Sequence, residues 1–246
     1  DTLKAKFYIN PVARVDYSLI KNAVTLYTGT EGYYRKNSMK QLINTNPFLT
    51  GLQIKNQYTS FRFYGGVNAK LAPSTDFNFE MSTSTVSNLP LFITKNDSVN
   101  SMTVIYDNVR ILKVGATLNF SLSEKIRAGL TGNFYDYKLS NEANAWHLPN
   151  AEFKVRFQYK IKEKIYIHTD IIGMGLRYNR FVKTPTSGPD QTIKGFADFN
   201  LGIDYRLKPN FSFFLNANNI GSSRYQRWYA YNVYGFNLVG GITATF

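Results

Sequence analysis

The chain closes on Phe236-Asn-Leu-Val-Gly-Gly-Ile-Thr-Ala-Thr-Phe246, and the alternation in this stretch decides the fold. Phe236, Leu238, Gly240, Ile242, Ala244 and Phe246 fall on one face of an extended strand, while Asn237, Val239, Gly241, Thr243 and Thr245 fall on the other. Chain ends usually fray in water, so an aromatic ring at the last position of a strand has little use in a soluble protein. It has a use where the outer face of the strand sits in lipid and the final ring lies at the membrane interface. The ending therefore predicts a bacterial outer-membrane β-barrel.

The same period of two runs back through the chain. Ala151, Phe153, Val155, Phe157, Tyr159 and Ile161 oppose Glu152, Lys154, Arg156, Gln158 and Lys160. A strand of about ten residues, rising about 3.3 Å each and tilted, crosses a hydrocarbon core. Globular strands average about five or six residues. Phe61, Phe63, Val67, Ala69 and Leu71 oppose Arg62, Tyr64, Asn68 and Lys70. Leu112, Val114, Ala116, Leu118 and Phe120 oppose Lys113, Thr117 and Asn119. Ala197, Phe199, Leu201, Ile203 and Tyr205 oppose Asp198, Asn200 and Asp204, and the segment Phe211–Asn218 alternates with Phe214 as its exception. A first strand is expected over Ala5–Asp16, interrupted at Pro11 by a bulge or an exposed edge.

Connections alternate in length. Short ones fall at Ile20-Lys21-Asn22, Ala72-Pro73-Ser74-Thr75, Ser123-Glu124-Lys125, Lys162-Glu163-Lys164 and Lys208-Pro209-Asn210. Long ones are expected at 34–50, 87–107, 140–149, 183–192 and 223–234. Short turns on one side and long loops on the other are the habit of an outer-membrane barrel. The fold class is thus all-β, a transmembrane antiparallel up-and-down barrel with about 11 strands. Placing the last strand's end in the periplasm makes the first strand run inward from outside. Single-chain bacterial barrels normally have an even strand number with both ends in the periplasm. Residues 1–246 are therefore expected to be the C-terminal portion of a larger barrel, with Asp1 following an absent loop. A self-contained 10- or 12-stranded passive pore or membrane enzyme is the alternative, and a soluble β-sandwich a more distant one.

Composition narrows the function. The chain has no Cys, which removes disulfides and thiolate metal sites, and 18 Tyr and 19 Phe, which favour strands. Net charge is +13. It is read first as solvated lumen and rim side chains and contacts to lipid phosphates, and second as a field attractive to an anionic ligand. No basic helix, zinc-finger spacing or RNA-binding aromatic motif is visible, so nucleic acid is not an expected partner. The mean hydropathy is −0.28, ordinary for a barrel in which every second residue faces the lumen.

The last hundred residues carry a resemblance. Ala145-Trp146-His147-Leu148-Pro149-Asn150 leads into a strand, and Gly195-Phe-Ala-Asp-Phe-Asn-Leu-Gly-Ile-Asp-Tyr205 precedes a short turn. Phe213-Phe-Leu-Asn-Ala-Asn-Asn-Ile220 is followed by Tyr225-Gln-Arg-Trp-Tyr229 and the terminal strand. This resembles the C-terminal end of TonB-dependent outer-membrane receptors, in particular those of Bacteroidetes-type bacteria. Over residues 1–144 the likeness is only architectural. The resemblance implies transport across the outer membrane and, as partners, a plug domain, TonB and a surface lipoprotein. It also implies outer-membrane lipid and lipopolysaccharide around the wall, and barrel assembly machinery that reads the last strand. The family's plug and TonB-contacting segments are not found in this sequence. Ala244 stands where a second aromatic is common, leaving Gly241 and Phe246 as the assembly signal.

Few residues suggest chemistry. His168 and Asp170 share the expected lumen face of Ile165–Ile171, but no nucleophile motif accompanies them. Two His, one of them the loop residue His147, do not support a zinc site. No catalytic residue, cofactor or metal is expected, and the chain reads as a non-enzyme. Arg224, Tyr225, Arg227, Trp228 and Tyr229, with Tyr231 and Tyr234 nearby, form an aromatic-basic cluster in the last external loop. Either it contacts a ligand or partner, or it belongs to the interfacial aromatic belt. Lys154, Arg156 and Lys160 are candidate lumen-lining residues.

Overall fold

A computed structural model describes residues 10–95, 101–182 and 189–245. Phe246, residues 1–9 with the start of the expected first strand, and residues 96–100 and 183–188 of two expected long loops lie outside the described residues. The main element is an 11-stranded antiparallel sheet in which each strand pairs with the next. In order, its strands are β1 (Ala13–Ile20), β2 (Val24–Arg35), β3 (Gln57–Ala72), β4 (Thr75–Thr94), β5 (Met102–Ser123), β6 (Ile126–Leu139), β7 (Ala151–Ile161) and β8 (Ile165–Met174). It continues, past the two-stranded ribbon β9 (Arg177–Asn179) and β10 (Gln191–Ile193), with β11 (Phe196–Lys208) and β12 (Phe211–Asn218). A second ribbon, β13 (Gln226–Trp228) and β14 (Tyr231–Asn232), precedes the last wall strand, β15 (Asn237–Ala244). The helix α1 (Met39–Thr45) lies between β2 and β3, and Ser38 caps it by accepting a bond from the Gln41 N–H at 3.2 Å. Among the described residues no helix is long and apolar enough to cross a membrane.

Register gives every wall strand one polar and one apolar face. Through β6–β7–β8–β11, one row reads Gly132–Phe153–Gly173–Ala197 and another Leu130–Val155–Ile171–Phe199. The intervening row on the opposite face reads Thr131–Lys154–Ile172–Asp198, and the next on that face Gly129–Arg156–Asp170–Asn200. Because side chains alternate with a period of two, a one-residue slip would exchange the faces. The apolar face has no protein cover: Phe61, Phe63, Leu130, Phe134, Phe153, Phe157, Phe199, Phe213 and Ile242 are all exposed. So continuous an apolar surface requires a non-aqueous surrounding or a partner.

The polar face is spaced by glycines. A Cβ on Gly66 would stand 2.1 Å from the Phe79 carbonyl oxygen and 2.7 Å from the Tyr27 hydroxyl. One on Gly202 would meet His168 Nε2 at 2.0 Å. Large rings of one strand thus lie over glycines of the next, which lets the sheet curve inward without crowding.

All five short connections occur where the sequence places them. One expectation needs correction. The segment 87–107 is mostly strand, because β4 and β5 continue pairing from Leu89↔Asp107 to Thr94↔Met102 beyond a bulge at Val86/Leu89. The alternation is hidden there because both faces are covered: Leu91, Phe92, Ile93 and Thr94 are all buried. Among the described residues the first wall strand is Ala13–Ile20, with Pro11 just before it; the earlier part of the expected first strand lies outside the described residues. β1 and β15 are the two edges of the sheet and do not pair with each other among the described residues. Both run toward the short-turn end.

Candidate functional site

At the long-loop end the connections fold into a cap with its own core. Leu42, Leu49, Phe92, Met102 and Val104 form one buried cluster, with Phe48 and Trp228 against it. Leu91, Ile93 and Trp146 form a second, flanked by Leu148 and Val182. Polar groups fasten the cap. Asp107 accepts bonds from the backbone N–H groups of Asn108, Asn141 and Glu142 and from the Asn141 side chain, at 2.7–2.9 Å. Glu142 accepts from Trp146 Nε1 at 2.7 Å and is ion-paired to Arg180.

His147 is the pin between two loops. Its Nε2 accepts the backbone N–H of Tyr229 at 3.2 Å, so Nδ1 carries the proton and donates to the Phe92 carbonyl at 2.8 Å. Trp228 packs 5.3 Å from both the imidazole and the Phe92 ring. Burial, helped by the charge of Arg177, pulls the His147 pKa down to about 4, against the opposing bond to Phe92. The imidazole is therefore neutral at neutral pH.

Arg177, 1% exposed, gathers three backbone carbonyls from two stretches of loop. Nη1 donates to the Arg227 carbonyl, and Nη2 donates to Gln226 at 2.7 Å and Lys194 at 3.4 Å. Its Nε has no partner among the described residues, and no carboxylate pairs with it. Burial and the charge of Arg227 lower its pKa to about 10, so it keeps its charge. The guanidinium lies 5.5 Å from the centre of the Phe196 ring, on which Tyr225 stacks at 3.7 Å. Tyr225 donates to Asp198 at 2.6 Å; burial and that carboxylate push its phenol pKa up.

The five residues of the last external loop are thus divided. Tyr225, Trp228 and Tyr229 are built into the cap, Tyr229 edge-on to Phe181 at 5.5 Å. Arg224 and Arg227 remain exposed. Lys154, Arg156 and Lys160 lie on the polar face of β7. Lys154 and Arg156 share Asp170, at 3.8 and 3.3 Å, and Lys160 pairs with Glu163. His168 faces Asp204, at 3.4 Å, and not Asp170. Lys160, His168 and Asp204 border an open polar groove of about 500 Å³ near the short turns, which also holds Arg127, Gln158 and Arg206. Gly241 lies against the Phe214 ring, which fills the space a Cβ would need. Among the described residues no cluster of His, Asp and Glu is arranged to hold a metal ion. Arg177 and Lys194 were not singled out by sequence; an Arg amid loop residues carries no periodicity that would mark it.

No family model matches the chain, and no curated protein matches it in sequence. Solved structures do match in fold. The copper transporter OprC superposes with a TM-score of 0.66 at 16% identity, over 95% of this chain and 39% of that one. The ferric-catecholate import receptor Fiu of E. coli K12 gives 0.68 at 14% identity, over 96% and 35%. The pyoverdine outer membrane receptor FpvA of Pseudomonas aeruginosa PAO1 gives 0.69 at 11% identity, over 96% and 36%. The chain therefore has the fold of part of a receptor barrel wall and spans well under half the length of these proteins.

Proposed function

We propose that the chain is a wall segment of a TonB-dependent-receptor-like barrel in the bacterial outer membrane, serving uptake of a solute. The observation that carries this reading is the two-faced 11-stranded sheet, apolar and uncovered on one side, polar and ion-paired on the other. Its likeness to import receptors at TM-scores of 0.66 to 0.69 supports the same assignment. Backbone groups on an open edge in hydrocarbon cost several kcal/mol each, so the wall must be completed. Because β1 and β15 run in the same direction, closure with antiparallel neighbours throughout needs an odd number of further strands. One further strand would close a 12-stranded barrel; coverage of only 35–39% of the matching receptors favours a portion of a larger barrel over a self-contained 10- or 12-stranded pore or membrane enzyme.

In this reading residues 1–246 are the C-terminal barrel portion of a Bacteroidetes-type receptor. The cap meets the ligand, and the polar face lines a lumen that holds a plug moved through TonB. A surface lipoprotein covers the cap, lipopolysaccharide borders the outer leaflet, and the barrel assembly machinery engages β15, Gly241 and Phe246. The chain could equally serve as a barrel subunit of a larger outer-membrane complex, with the same wall and the same orientation.

Labelling of intact cells tests the orientation, since the chain has no cysteine of its own. A Tyr234→Cys substitution, at a site 89% exposed in the cap, is expected to react with a membrane-impermeant maleimide. A Glu163→Cys substitution in a short turn is expected to react only after the outer membrane is permeabilised. Recovery of the protein in the aqueous phase, or equal labelling of both sites, would refute the reading.

A further inference from the structure

The cap contains a cationic pocket that the aromatic-basic sequence pattern only half announces. Thr192, Lys194, Ser223, Arg224, Tyr225 and Gln226 line an open cavity of about 390 Å³. That volume is within the range of small-molecule sites, about 300–1,000 Å³. Neither Lys194 nor Arg224 has a carboxylate partner among the described residues. Behind the pocket lies Arg177, which binds the backbone carbonyls of the same stretches, Lys194 and Gln226, and is likewise unpaired by any acid. Asp198 accepts the Tyr225 hydroxyl through Oδ2, leaves Oδ1 without a partner among the described residues, and forms no ion pair with Arg177, Lys194 or Arg224.

A buried guanidinium satisfied only by carbonyls keeps its charge uncompensated, and a charge withdrawn from water is costly unless paired. Its field, only weakly screened at the back of the pocket, adds to the two exposed cations in front. Seryl, threonyl and amide groups on the rim supply further donors, and Arg224 has the planar fork that matches a carboxylate or phosphate.

We propose that this pocket is the seat for the anionic group of a compact, polycarboxylate- or phosphate-bearing solute, held by Arg224 and Lys194 over the buried Arg177. The inference rests on the receptor reading and adds to it the chemical class of the ligand.

Citrate is the probe, titrated calorimetrically into the complete detergent-solubilised protein at fixed ionic strength, with sucrose as the neutral comparison. Saturable citrate binding and no sucrose binding are expected. Arg224→Ala and Lys194→Ala are each expected to weaken citrate about tenfold, the loss of one charge-assisted bond. Arg224→Lys should lose less, and Lys40→Ala, on the exposed helix α1, should change nothing. Inorganic phosphate in place of citrate separates a phosphate seat from a polycarboxylate seat, and either one upholds the anion site. Absence of saturable binding to both anions overturns the inference. So does an equal loss in the Lys40→Ala protein, which would indicate a diffuse field. Protein that labels as a correctly oriented barrel yet binds neither anion fails this inference alone. Protein that does not insert fails the receptor reading, whatever it binds.

Discussion

Acid should unfasten the cap through His147. The imidazole is neutral because Nε2 accepts the Tyr229 N–H; protonation would set two donors face to face in a buried site. Its pKa of about 4 in the folded cap compares with 6.5 for a solvated imidazole. A histidine lowered in this way contributes stability that is complete above pH 6.5 and falls as protons bind the opened state first. The loss begins near pH 6.5 and levels off below about 4, and its full extent is about 3 kcal/mol. At pH 5 about 2 kcal/mol has gone, enough to raise the open fraction of the cap roughly thirtyfold. The chain has two tryptophans, Trp146 and Trp228, and both belong to the cap cores, so intrinsic tryptophan emission reports the cap and not the wall. Denaturant titrations followed by that emission should show the midpoint falling between pH 7.5 and pH 5, and hydrogen exchange should quicken in residues 140–150 and 225–232. His147 sits at φ 61°, a conformation that asparagine tolerates, so His147→Asn is the non-titrating comparison. A midpoint unmoved by pH in the parent protein, or moved equally in His147→Asn, would refute the reasoning.

Three further outcomes follow from the geometry. Arg177→Met removes the donor shared by the Lys194, Gln226 and Arg227 carbonyls while keeping bulk. It is expected to cost the cap about 1–3 kcal/mol by tryptophan emission, with the wall unchanged by circular dichroism. Gly66→Ala places a Cβ 2.1 Å from a backbone oxygen and should destabilise the wall by about 1–3 kcal/mol, whereas Gly132→Ala meets nothing within 4 Å and should be neutral or slightly stabilising. Refolding equilibria in detergent or lipid measure both, and equal losses would show that the glycines do not act through packing. Phe157→Lys, on the uncovered apolar face of β7, should cost about 2–4 kcal/mol in a bilayer if that residue lies near the midplane.

The wall was legible in the sequence because lipid outside and water inside impose the plainest pattern a strand can carry. β7 spans Ala151–Ile161, the limits its alternation marks, and the short turns at Lys21, Glu124, Lys162 and Pro209 interrupt that pattern with polar or proline residues. The cap was not legible for the opposite reason. Where β4 and β5 rise into it, Leu91 and Ile93 are buried on one face and Phe92 and Thr94 on the other, so no alternation survives. The aromatic-basic run at 224–229 was visible as a run, but its division was not. Trp228 and Tyr229 are committed inward by His147 and Phe181, contacts between residues 48 to 82 positions apart that composition does not encode.

That division bears on how the cap would recognise a solute. Loops that must order themselves on binding lose affinity to that ordering, and loops already folded do not. Here Asp107 clamps the 140s loop, His147 joins it to the last loop, and Arg177 joins the last loop to β9 and β10, with apolar cores filling the space between them. The exposed cations Arg224 and Lys194 therefore project from a pre-formed platform. Arg177 is one of the groups that hold that platform together and also a source of the positive field beneath it. The two roles separate experimentally: Arg177→Lys keeps the charge but loses the planar fork that reaches several carbonyls. It should loosen the cap nearly as much as Arg177→Met while retaining more of the citrate affinity. If both variants lose affinity in proportion to cap stability, the platform matters and the buried charge does not.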